Sequence, residues 1–107
     1  MNIKELEKII NEAFDKRENI NTSDKNLLNV INETINLLDS GKIRVANKNN
    51  GNWVVNQWIK KAILLSFKTN KMVMSKGPYT TWYDKVSGKS VNWSEADWKK
   101  AGYRHVP

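Results

Sequence analysis

Apolar and polar residues alternate along the N-terminal part of the chain with a helical period. Ile3, Leu6, Ile10, Ala13 and Phe14 recur at three- and four-residue spacing with Lys4, Glu5, Glu7, Lys8 and Glu12 between them, which predicts an amphipathic helix ending near Arg17. Glu18 to Asn21 reads as a connection. Thr22, Ser23 or Asp24 can then accept hydrogen bonds from the free amides that open a second helix, whose stripe is Leu27, Val30, Ile31, Thr34, Ile35 and Leu38. Gly41 closes it, with Lys42 near the negative end of its dipole.

The period then drops to two. Ile43, Val45 and Asn47 alternate with Arg44, Ala46 and Lys48, Asn49-Asn50-Gly51 forms a hairpin signal, and Trp53, Val54 and Val55 make the return strand, so a β-hairpin is expected near 43–55. The next stretch, near 57–68, is a helix apolar on most of its circumference. Trp58, Ala62 and Leu65 line one face and Ile59, Ile63 and Phe67 a neighbouring one, leaving Lys60, Lys61 and Lys68 for water. A helix of that kind must be covered from several sides and is expected at the centre of the core.

Beyond Thr69 the pattern is less regular. Met72 to Met74 can be extended, Gly77-Pro78 is a turn, Tyr79 to Val86 has strand composition, and Ser87-Gly88-Lys89 is another turn. Ser94-Glu95-Ala96-Asp97 has the form of a capping box, opening a fourth helix to Ala101 that Gly102 ends. Tyr103 to Pro107 is expected to be extended, with nothing in sight for it to pair with, which suggests that a further segment follows. The fold class is therefore mainly α with a small β-hairpin (α+β), with about four helices, and no internal repeat is present.

A length of 107 residues suits one domain. The absence of cysteine removes disulfides, thiolate metal sites and a cysteine nucleophile. No apolar run has membrane-spanning length and no signal peptide opens the chain, so a cytoplasmic address is expected, with no membrane partner. The helix near 57–68 has too broad an apolar face and too narrow a charged one for a membrane surface. The net charge of +7 favours anionic partners, but the lysines and arginines are dispersed among acidic residues, and nucleic acid is not the expected partner.

Chemistry-bearing constellations are few. His105 is the single histidine, and there is no nucleophile with a base, no phosphate-cradling glycine loop and no metal-ligand spacing, so no catalytic residue, cofactor site or metal site is assigned within this chain. The five tryptophans, Trp53, Trp58, Trp82, Trp93 and Trp98, read best as core residues, the alternative being base stacking on a basic face. Arg104 has no acidic residue close by after Asp97 and offers a planar fork matched to a carboxylate. On the residues alone it still reads as an ordinary surface arginine.

Residues 37–46 (Leu-Leu-Asp-Ser-Gly-Lys-Ile-Arg-Val-Ala), Gly51-Asn52-Trp53 and residues 57–68 (Gln-Trp-Ile-Lys-Lys-Ala-Ile-Leu-Leu-Ser-Phe-Lys) closely resemble the N-terminal domain of the tetrahydrodipicolinate N-succinyltransferase family of bacterial lysine biosynthesis. Tyr83-Asp84-Lys85-Val86 and Gly102-Tyr103-Arg104-His105-Val106-Pro107 follow in the family's order. Ile59 and Lys68 stand where the family more often has leucine and arginine, and Ser87-Gly88 replaces a proline-containing turn.

The resemblance implies that residues 1–107 are the single N-terminal domain of a larger acyltransferase, cut before a left-handed β-helix that carries the catalytic residues. It implies transfer of a succinyl group from the co-substrate succinyl-CoA to tetrahydrodipicolinate in diaminopimelate and lysine biosynthesis, by a homotrimer. It also implies that Arg104, in the Gly-aromatic-Arg segment, binds the dicarboxylate substrate, reversing the surface reading. This part alone is then expected to bind no cofactor and to be inactive. The rival reading is a small basic module that binds nucleic acid or an acidic protein.

Overall fold

The computed structural model describes residues 1–106, so Pro107, the last residue of the Gly-aromatic-Arg segment, lies outside them. The chain forms two compact units, Met1–Thr69 and the residues from Asn70 on.

The first unit packs three helices. α1 (Ile3–Asp15) opens with a capping box, in which Asn2 Oδ1 accepts from the Glu5 N–H at 2.9 Å and Glu5 Oε2 accepts from the Asn2 N–H at 3.3 Å. It stops at Asp15, and a 3-10 turn over Arg17–Asn19 follows, so the expected end near Arg17 is slightly late. α2 (Lys25–Asp39) is capped by Asp24, which accepts from the Asn26 and Leu27 N–H groups. Its C-terminus is a Schellman closure. Gly41, at φ 78°, donates its N–H to Leu38 C=O at 3.1 Å, and Lys42 donates to Leu37 C=O at 3.0 Å.

β1 (Ala46–Asn49) and β2 (Asn52–Val55) pair antiparallel, Ala46 opposite Val55, around Asn50 (φ 50°) and Gly51 (φ 80°), the two positive angles of a type I′ turn. The ladder starts three residues later than Ile43. Ile43 and Val45 alternate because both pack against the helical core, and the Ile43 N–H goes to Leu37 C=O at the end of α2. Asn56 closes the base of the hairpin. Its N–H donates to Val45 C=O, and its Nδ2 donates to Arg44 C=O at 2.6 Å and Asn47 Oδ1 at 2.8 Å.

α3 (Gln57–Thr69) begins directly after Asn56. Trp58, Ile59, Ala62 and Leu65 enter a core with Leu6, Ile10 and Ala13 of α1 and Leu27, Val30 and Ile31 of α2. Trp58 is 8% exposed and Leu65 1%, as the central position expected of this helix requires. Two expectations for it need correction. Leu64 is 54% exposed and Phe67 42%, so the apolar circumference is not fully covered. Lys61 is half-buried rather than left to water. Its Nζ donates to Asn11 Oδ1 at 3.1 Å and lies 5.5 Å from the centre of the Phe14 ring. Thr34, the one buried polar residue among those described, donates its hydroxyl to Val30 C=O at 2.9 Å.

In the second unit β3 (Val73–Lys76) and β4 (Thr81–Asp84) form an antiparallel hairpin, Val73 opposite Asp84, closed by the Gly77 N–H to Thr80 C=O at 2.9 Å. The turn at Gly77-Pro78 lies inside that loop. α4 (Glu95–Ala101) follows, and Gly102 ends it in the left-handed region at φ 77°. The two hairpins and four helices make the chain mainly helical α+β.

Trp58 is the only tryptophan in the core cluster. Trp53 is 69% and Trp82 49% exposed, while Trp93 and Trp98 are half-buried. The expectation that all of them complete the core therefore fails for four.

Leu65→Ala is expected to cost about 2–5 kcal/mol in urea unfolding, the range for a buried leucine whose cavity cannot close. Leu64→Ala, one position earlier and facing solvent, is expected to stay within about 0.5 kcal/mol.

Candidate functional site

The residues that bear on function gather around α4 and the segment after it. Ser94 Oγ accepts from the Asp97 N–H at 3.3 Å, and Asp97 Oδ2 accepts from the Ser94 N–H at 2.8 Å and its hydroxyl at 3.0 Å. These bonds, the backbone one foremost and the hydroxyl second, hold the Asp97 carboxyl below the usual aspartate range. Glu95 and Asp97 sit in the first turn and Lys99 and Lys100 in the last, so the charges oppose the helix dipole at both ends. The Lys99–Glu95 pair at 3.6 Å is exposed and contributes little.

Seven residues are too few for a helix to stand by itself. Trp98 supplies what propensity does not. Its ring meets Trp93 edge to face at 4.8 Å between centroids, Tyr103 at 5.4 Å and His105 at 6.0 Å, and Trp93 meets Tyr103 at 5.9 Å. Gly102 donates its N–H to Trp98 C=O at 3.1 Å and turns the chain back so that Tyr103 reaches the ring. An alanine there would carry a Cβ in a left-handed conformation, which costs about 1–2 kcal/mol per residue.

Arg104 lies between Tyr103 and His105, is exposed, and has no hydrogen bond or ion pair with any described residue. A guanidinium in that state keeps its whole donor set for an external carboxylate, and arginine binds such a group through two parallel N–H···O bonds. His105, the other side chain singled out in this segment, is engaged with Trp98. The structure does not bring a nucleophile and base together beside Arg104. Among the described residues no group of three or more histidine, aspartate or glutamate side chains could hold a metal ion. Among the described residues no helix is long and apolar enough to cross a membrane.

The concavities of the first unit, one over α2 beside Asn29, Asn36 and Lys42 and one between α1 and α2 beside Glu12, Lys16 and Asp24, do not include Arg104. Sequence reasoning missed the aromatic cluster. Its signal is the placement of Trp93 just before the capping serine and of Trp98 four residues after it, the positions of a hydrophobic staple.

The sequence model of the family described as tetrahydrodipicolinate N-succinyltransferase N-terminal matches residues 5–69. Three relatives named 2,3,4,5-tetrahydropyridine-2,6-dicarboxylate N-succinyltransferase align along nearly the whole chain. The protein of Pelagibacter ubique is 53% identical over 98% of the chain and 40% of its own length. That of Agrobacterium fabrum is 51% identical over 95% and 37%. That of Parvibaculum lavamentivorans is 46% identical over 100% and 40%. The chain thus spans at most about 40% of the length of these curated relatives.

The lowered pKa of Asp97 makes the α4 cap sensitive to acid. Its carboxylate stabilises the folded form above the ordinary aspartate value, about 3.9, and that contribution is lost as pH falls through the lower value in the folded chain. An NMR titration of the Asp97 side chain is expected to place its midpoint below 3.9, with the Trp98 signals following it; Asp97→Ala is expected to abolish that coupled change.

Proposed function

Since this chain belongs to the tetrahydrodipicolinate N-succinyltransferase N-terminal family, we propose that residues 1–107 together form the N-terminal, substrate-side domain of an acyltransferase that moves a succinyl group from succinyl-CoA to tetrahydrodipicolinate. In that reaction the amino group of the ring-opened acceptor attacks the thioester carbonyl. An amide bond forms, the carbon–sulfur bond breaks, the nitrogen gives up a proton and coenzyme A leaves as the thiol. A β-helical domain following this one would carry the acid–base groups and the coenzyme groove. The working form would be a homotrimer in the cytoplasm, serving diaminopimelate and lysine biosynthesis.

The part of this chain in the chemistry is to hold the acceptor. The relatives act on a compound named as a dicarboxylate, and Arg104 is a guanidinium with no partner among the described residues. That unpaired state is the observation on which the reading rests. Two charge-assisted bonds to one carboxylate would fix the diacid at one end, so that its amine meets the thioester with most of the orientational cost already met. The rival reading, a nucleic-acid module, draws on the exposure of Trp53 and Trp82, but stacking needs several aromatic rings on one basic face.

In the full-length enzyme, Arg104→Ala is expected to lower kcat/KM for tetrahydrodipicolinate by about 10- to 100-fold, corresponding to the ~1.5–3 kcal/mol of a hydrogen bond to a charged group. The KM for succinyl-CoA should stay unchanged, and Arg104→Lys should fall between, keeping the charge without the fork. Unaltered kinetics with the dicarboxylate would refute the clamp. Residues 1–107 assayed alone for thiol release should be inactive, with activity appearing only when the remainder of the protein is present. Salt-sensitive binding of nucleic acid by the 107-residue chain would instead favour the rival.

A further inference from the structure

Both ends of α4 are fastened to the same side chain. At its start the hydrophobic staple joins Trp93, the residue before the cap, to Trp98, and at its end the residue after the left-handed glycine, Tyr103, returns to Trp98. His105 adds a contact from two residues further on. The neighbours of Arg104 on either side therefore rest on one ring.

Between them Arg104 is exposed and makes no hydrogen bond or ion pair with any described residue. We propose that Trp98 is a positioning residue that sets the direction in which Arg104 meets the acceptor's carboxylate. The inference rests on the clamp reading of Arg104 and names what holds the clamp. Trp98 itself needs no contact with the substrate, because its rings and caps fix the backbone from which the guanidinium projects.

Steady-state kinetics of the full-length enzyme, with tetrahydrodipicolinate varied at saturating succinyl-CoA, test this with Trp98→Ala, Trp98→Phe, Arg104→Ala and the Trp98→Ala/Arg104→Ala double variant. Trp98→Ala is expected to raise the KM for the dicarboxylate about tenfold, inside the ~100-fold that an ångström of misplacement can cause, and to leave the KM for succinyl-CoA unchanged. Trp98→Phe, which keeps a ring between Trp93 and Tyr103, should recover most of the loss. In the Arg104→Ala background the further effect of Trp98→Ala should vanish, since a residue that acts through another has nothing left to act through.

Equal effects of Trp98→Ala with and without Arg104, or a rise in KM for both substrates, would overturn the positioning role while leaving the clamp intact. If Arg104→Ala itself changes nothing, the clamp reading falls and this inference with it. Should Trp98→Ala not fold, His105→Ala decides, because it removes the ring beyond Arg104 and leaves both ends of α4 fastened. A severalfold higher dicarboxylate KM at an unchanged unfolding midpoint supports the role, and an unchanged KM refutes it.

Discussion

Burial of α3 is the constraint on which the first unit depends. A helix with Trp58, Ile59, Ala62, Ile63, Leu65 and Phe67 around it cannot be satisfied by one neighbour, and α1 and α2 each present a stripe that covers part of it. Burying side chains of this size contributes about 1.5–3 kcal/mol each, so the three stripes together outweigh any local preference along the way. The first hairpin follows from that packing. Two four-residue strands are marginal alone, and what holds them is Asn56, which knots the hairpin base to the residue where α3 begins.

The residues from Asn70 on solve a different problem, because none of the described ones is buried. Without a core of its own this unit is held by short-range devices. These are a paired hairpin, a reciprocal cap between Ser94 and Asp97, a left-handed glycine at 102 and three aromatic rings in mutual contact. Edge-to-face pairs contribute about 0.5–1.5 kcal/mol beyond the area they bury, and three of them closing on one another can hold a seven-residue helix none of whose residues is buried.

That difference decides what could be read in the sequence. The helices of the first unit, the Gly41 closure and the Asn50-Gly51 turn were legible, and the cap of α2 was narrowed to Thr22, Ser23 or Asp24, of which Asp24 serves, since periodicity and capping chemistry act locally and agree with the packing. The start of β1 was misplaced because alternation at Ile43 and Val45 reports a side facing the core, whether or not a ladder partner lies across from it. The pairing of β3 with β4 was missed because Gly77 to Thr80 makes a longer loop than the two-residue turns that announce a hairpin. Three of the tryptophans, Trp82, Trp93 and Trp98, lie in the part of the chain that has no buried residue among those described, and Trp53, on β2, is exposed beside a core that Trp58 enters. At the candidate site, the cap and terminating glycine of α4 were visible, but the absence of an ion pair between Arg104 and any described residue is a property of space and not of neighbouring letters.

The way Arg104 is held has a physical logic. An arginine can be ordered by its own bonds, to a carboxylate or a backbone carbonyl, but each such bond uses a donor that a ligand would need and must be broken before the ligand can have it. Ordering its neighbours avoids that conflict. With Tyr103 and His105 against Trp98, the backbone at 104 loses freedom while all five guanidinium N–H donors stay unengaged within the described chain. If Arg104 is the proposed clamp, the residual cost of binding is the rotamer freedom of a single side chain, roughly 0.5–1.5 kcal/mol, rather than that of the residues around it as well. A segment without a core can therefore present a cation in a defined direction, provided the aromatic contacts are made by the residues beside it and not by the cation itself.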